Sequence, residues 1–271
     1  MNRIFLIAAL FSAVPLAAQA QSSGKWEVKV EPSECTLIRS VQAPSPALIA
    51  VRTVPGTDAF VVLVSGKEVP NRSANTHFAV QLHFDDGKAL DAFASPAGKL
   101  SSGPVLRLET FKPAMLDAFA AAQAVSANGQ SGSFASFQLP SAAAAVRALR
   151  QCIADQLVDW GADPAQFAPG GTLPVPRQDR DDWLTKAQLI DLASTSGASD
   201  IDYLYQVVIA TDGSIESCKQ DKAKAGDRSE KLGCAPLIGK KLFTPAKNAA
   251  GTPVKGAAAF QVMLARRPGH S

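Results

Sequence analysis

At 271 residues, 46% of them hydrophobic and 19% charged, the chain is long enough for one large or two modest domains and apolar enough for a packed core. Its formal net charge of +3 is too small to argue for nucleic acid or an anionic membrane surface as a partner.

Residues 1–20 read as a processing segment. Arg3 supplies the positive start, Ile4–Leu16 the apolar stretch, and Ala18-Gln19-Ala20 an A-x-A cleavage site before Gln21. Pro15 interrupts the apolar run, which is short for a bilayer span. A cleaved export signal is expected, with an uncleaved signal anchor as the alternative. No later segment reaches membrane length, so the mature chain is expected in the periplasm without stable membrane insertion. All four cysteines, Cys35, Cys152, Cys218 and Cys234, lie after this segment, and none forms C-x-x-C. An oxidising compartment favours disulfides. Of the three possible connectivities, one bridge inside each proposed domain gives Cys35–Cys152 and Cys218–Cys234.

In chain order, residues 25–30 alternate with period two and predict a strand. Cys35–Arg39, Ala47–Val54, Ala59–Val64, Phe78–Phe84 and Val105–Leu108 are further strand candidates between Pro, Gly, Asn and Asp clusters. Their spacing suggests a sandwich-like, β-rich N-terminal domain. Residues 113–125 predict a short helix and Asn128–Ser133 a flexible turn. The long amphipathic helix starts at Ser141 as cap, runs its stripe through Val146, Leu149, Cys152, Ile153, Leu157 and Trp160, and stops at Gly161. Residues 162–182, rich in Pro and Gly and without periodicity, read as a linker. Residues 183–192 predict a short helix or docking segment.

Catalytic chemistry finds little support. His77 and His83 share a strand face near Asp85, too few ligands for a metal site. No G-x-S-x-G, H-E-x-x-H, Walker or Rossmann pattern is present. No enzyme activity, cofactor or metal is expected.

The C-terminal stretch is the most informative. An apolar run, Tyr203–Ala210, meets Thr211-Asp212-Gly213 and then a short alternating run, Ser214–Cys218, which is a strong hairpin signal. A lysine-rich loop, Lys219–Lys231, leads into a helical candidate, Ser229–Leu242. Pro236 disfavours helix before it, which points to a shorter helix over Pro236–Leu242. Phe243-Thr244-Pro245-Ala246, a Gly251-Thr252-Pro253-Val254 turn and a last strand over Ala259–Leu264 follow.

V-x-I-x-x-D-G-S-I, a helix, F-T-P-A-K-N-x-x-G-T-P-V and a closing strand, in this order, resemble the C-terminal domain of the TonB/TolA energy-transducer family, in its periplasmic two-cysteine variant. The resemblance covers about residues 183–265. It implies a ββαβ domain whose last strand presents a free edge, here Ala259, Phe260, Gln261, Val262, Met263 and Leu264, to an extended peptide of an envelope partner such as an outer-membrane receptor. The retained membrane helix and long Pro-rich spacer of a transducer are missing from the sequence pattern. The expectation is therefore an α+β protein with a signal at 1–20, a β-rich domain at 21–161, a linker at 162–182 and a TonB-like domain at 183–267. Its expected role is a periplasmic, non-enzymatic adapter; a membrane-anchored transducer is the alternative if the signal is retained. Nothing in the pattern fixes the oligomeric state.

Overall fold

The structure is a computed structural model that describes residues 24–42, 45–196, 200–224 and 227–265. The expected export signal and its cleavage site lie outside the described residues.

The N-terminal unit holds β1 (Trp26–Glu31), β2 (Glu34–Val41), β3 (Ala47–Thr53), β4 (Phe60–Gly66), β5 (Phe78–Phe84), β6 (Ala89–Leu100), β7 (Gly103–Thr110), α1 (Met115–Ala121), β8 (Ala124–Gly129), β9 (Gly132–Gln138) and α2 (Ala142–Asp159). Its nine strands form one sheet in the order β1-β2-β3-β4-β7-β6-β5-β8-β9, antiparallel at every step. Because side chains alternate along a strand, one row of partners, Leu37, Val51, Val62, Leu108 and Ala94, carries a single apolar face across five strands. Met115 and Phe119 of α1 and Val146 and Leu149 of α2 close that face. The sheet curls until its ends meet. Arg39 of β2 donates to the Gln138 carbonyl at the end of β9 (2.9 Å), and Trp26 Nε1 donates to the Pro140 carbonyl (2.7 Å). The Cys35–Cys152 disulfide, with its Cα atoms 6.2 Å apart, fastens α2 to β2.

The C-terminal unit contains β10 (Val175–Pro176), α3 (Lys186–Ser196), β11 (Asp200–Ile209), β12 (Ile215–Gln220), α4 (Arg228–Cys234), β13 (Phe243–Thr244), β14 (Ala246–Lys247), β15 (Pro253–Val254) and β16 (Gly256–Ala265). Its main sheet runs β12-β11-β16, and two-residue ladders pair β10 with β13 and β14 with β15. Trp183 centres the core here, meeting Phe243 and Phe260 edge-on with ring centres 5.2 and 5.3 Å away. Tyr205 stacks on Phe260 and donates its hydroxyl to the Ser229 carbonyl, and burial pushes its phenol above the ordinary tyrosine range. The hairpin between β11 and β12 forms at Asp212-Gly213. The amide and hydroxyl of Ser214 and the Lys241 ammonium hold the Asp212 carboxyl well below the usual carboxylate range. Gly213 has φ +85°, and a Cβ there would lie 2.0 Å from the Phe243 carbonyl oxygen, so both the turn and a close backbone approach require glycine.

Several expectations are corrected. The α+β class with a ββαβ C-terminal domain is overturned: strand accounts for 43% of the chain against 21% helix, and the dominant feature is the nine-stranded antiparallel sheet. The sandwich-like picture gives way to this single curled sheet. β6, β8 and β9 were not anticipated, because their Ala, Ser and Gly content hides the alternation that packing supplies. The helix expected over 113–125 is only α1, since Ala122 is already extended. Ser141 sits at φ 59° and makes no side-chain cap bond. Around Pro236 the helix lies before the proline, α4 ending at Cys234, because a missing amide and a crowded preceding residue stop a helix there.

The two disulfides enclose very different loops, with sequence separations of 117 and 16 residues. Replacing Cys35 and Cys152 together with Ser is expected to cost roughly 4–5 kcal/mol of unfolding free energy, and replacing Cys218 and Cys234 about 3 kcal/mol, by the chain-entropy relation. Urea unfolding of the two double variants against the oxidised protein checks both the sizes and their order.

Candidate functional site

The residues expected to form a docking edge all lie in β16, the outer strand of the C-terminal sheet. The ladder between β11 and β16 alternates. The amide of Ala259 points away from β11, since it donates to the Gly56 carbonyl at 3.2 Å. By the same alternation the backbone groups of Gln261 and Met263 face outward, while those of Phe260 and Val262 pair with β11. The side chains sort in step. Phe260 and Val262 are buried in the C-terminal core, Gln261 is exposed, and Met263 is 56% exposed. Gln261 donates a side-chain hydrogen bond to Asp202, which stands diagonally across the ladder, opposite Met263. The Leu264 backbone continues the strand; its side chain lies outside the described residues.

The structure divides the expected edge in two. Its first part is covered by the N-terminal unit. Just before that edge Ala257 packs with Leu157 and Ala162, and on the adjoining β11 the buried Gln206 amide donates to Ser33 Oγ and Val208 lies under Gly161. Ala259 is fully buried, with its amide taken by Gly56. Its second part, Gln261 onward, borders a groove of about 670 Å³. Across the groove stand Thr57, Asp58 and Ala59, the 59%-exposed Phe111, and Gln178–Asp181. No strand among the described residues pairs with this side of β16. The opposite rim of the sheet is occupied at its start. Ile215 of β12 bridges Ile238, its amide bonds the Lys240 carbonyl, and its carbonyl accepts from Gly239.

The groove's far wall is fixed by the Pro- and Gly-rich stretch. Asp163 accepts from the Ala165 amide to start a single 3-10 turn over Pro164–Phe167. Thr172 pairs with Lys247, β10 pairs with β13, and the Arg177 guanidinium donates to the Phe243 carbonyl. Arg180 then crosses between the units. It donates to Asp58 at 2.7 Å and to the Gly56 carbonyl at 3.1 Å, and its cationic plane lies 6.0 Å from the Trp183 ring. Nothing in the sequence pattern links Arg180, Phe111 or Gly56 to β16, because only the folded chain brings them there.

His77 is exposed, and His83 is half-buried with its Nε2 3.2 Å from Gln81 Oε1. Among the described residues no group of three or more His, Cys, Asp or Glu side chains gathers in metal-binding proximity. Both expected disulfides are formed, which fits maturation in an oxidising, extracellular or periplasmic compartment. No helix among the described residues is long and apolar enough to cross a membrane. Comparison with protein-family models, with curated proteins and with solved structures finds no match.

Gly56 sets how closely the two units approach. Its φ is +75°, and a Cβ would lie 2.5 Å from the Ala258 Cα. Gly87 has a similar φ of +86° with nothing within 4 Å of a Cβ, so it isolates the backbone cost. Gly87→Ala is expected to cost about 1 kcal/mol, and Gly56→Ala clearly more, roughly 2–3 kcal/mol, because the clash adds to the strain. Urea unfolding measures the difference, and faster proteolysis within residues 163–182 of Gly56→Ala would show that the contact between units has loosened.

Proposed function

We propose that this protein is a non-enzymatic binding module of the bacterial envelope, working in the periplasm, and that it takes an extended segment of a partner protein as an added strand on β16. The observation that carries this reading is the open half of the β16 edge. Sheet edges are usually blunted with charge, proline or a bulge. β16, Gly256–Ala265, contains neither a charged residue nor a proline, and beyond Ala259 its outward amides and carbonyls border a groove with two exposed apolar side chains, Phe111 and Met263. An extended peptide would satisfy those groups, and the groove would hold its side chains. The likeness of the C-terminal motif to energy-transducer domains supports the same use of the last strand. An outer-membrane receptor peptide is the partner that this likeness suggests.

Proline discriminates sharply here. At Gln261 or Met263 it removes an amide that faces the groove rather than β11, so the sheet's own ladder survives while an added strand loses a bond. Gln261→Pro and Met263→Pro are expected to keep the melting temperature within a few degrees and to lose the partner captured by the wild-type protein from envelope extract. Gln261→Ala, which keeps the amide, should retain it. Retention by both proline variants would rule out strand addition at this edge.

A further inference from the structure

A second cleft lies on the other side of the contact between units, and it has the chemistry of a ligand site. It encloses about 620 Å³ between α2, residues 53–60 and residues 166–176, with Ala257 and Ala258 of β16 at its base. This is within the roughly 300–1,000 Å³ of small-molecule sites, which favour boundaries between structural units. Its walls are apolar, with Leu116, Ile153, Leu157, Phe167 and Leu173 facing in. One stripe of α2 supplies the polar side. Arg147, Arg150, Gln151 and Ala154 recur at helical spacing and all line the cleft.

The charges in the lining are one-sided. Arg147, Arg150 and Arg180 stand against a single carboxylate, Asp58, and that carboxylate is bonded to Arg180. Arg150 reaches Asp117 at the surface, and among the described residues no carboxylate pairs with Arg147. At the floor Gln166 is 2% exposed. Its amide nitrogen is held by the carbonyls of Asp163 and Lys255, so this surface is rigid before any ligand arrives.

An apolar trough with a cationic rim matches one ligand chemistry. We propose that the cleft binds a single-chain amphiphile with an anionic head, the chain lying along Leu157, Phe167 and Leu173 and the head meeting Arg147 and Arg150. The cleft shares Thr57, Asp58, Pro176 and Arg180 with the groove beside Gln261, but Arg147 and Arg150 line the cleft alone, so the site for the head lies apart from the open part of the β16 edge.

Dodecanoate is the probe, with dodecyl phosphate to tell a carboxylate from a phosphate head and dodecanol as the neutral control, each titrated by calorimetry below its critical micelle concentration. Saturable binding of one anion per chain is expected, with dodecanol at least about tenfold weaker, as expected when a charge-assisted contact is lost. Arg147→Ala breaks no ion pair and should weaken the anion by about the same factor. Ala154→Trp, on the half-exposed side of α2, should fill the cleft and abolish binding while the circular dichroism melt stays as in the wild type. Absence of saturable binding overturns the proposal. So does binding that both variants leave unchanged, which would place the amphiphile elsewhere on the surface.

Discussion

The backbone contact between Gly56 and the start of β16 is the constraint from which the functional geometry follows. A Cβ at Gly56 would lie 2.5 Å from the Ala258 Cα, so only glycine fits there, and only small residues can face it, which β16 supplies as Ala257-Ala258-Ala259. The contact uses up one outward amide of the edge strand. It also sets the two units at a distance that leaves a groove on one side of it and a cleft on the other. Arg180 ties the same point from a third direction, through Asp58 and the Gly56 carbonyl. Larger residues at either backbone would open the interface and merge these spaces with solvent.

α2 links the stability of the N-terminal unit to this arrangement. Its buried stripe packs under the curled sheet, the Cys35–Cys152 bond fixes its middle, and its last turn and the residues just after it bring Leu157 and Gly161 to the β11 and β16 surface. The helix thus has three different sides: one in the core, one against the C-terminal sheet, and one of arginines and small residues along the cleft. Simple amphipathicity describes only the first.

Much of this was legible in the residues, and the failures have physical causes. Both cysteine pairings follow from placing one bridge within each proposed domain. The Asp212-Gly213 turn and the final strand stand out because turn chemistry and period-two alternation are local signals. β6, β8 and β9 were illegible because most of their buried residues are alanines, Ala92, Ala94, Ala127 and Ala135, beside only Val125 and Phe137, and burial of alanine depends on neighbours rather than on intrinsic hydrophobicity. The class error follows from these missed strands, and the helix expected after Pro236 lies before it as α4. Of the candidate edge, the sequence marks the right strand but not which half is free. That depends on Gly56, some two hundred residues earlier, and a long-range contact leaves no periodic trace.

An open, uncharged strand edge carries a hazard, since a second copy of the chain could pair with it. Two features limit that here. The groove is walled by the chain's own Phe111 and Gln178–Asp181, which limits the room beside β16 for a second sheet. In the sequence, Arg266-Arg267-Pro268 follows directly on β16, the charged and proline-stopped flank by which natural sequences restrain apolar strands. Selectivity for a flexible segment over a folded sheet would thus come from the shape of the contact between units, and the backbone of β16 would provide adhesion with little sequence preference.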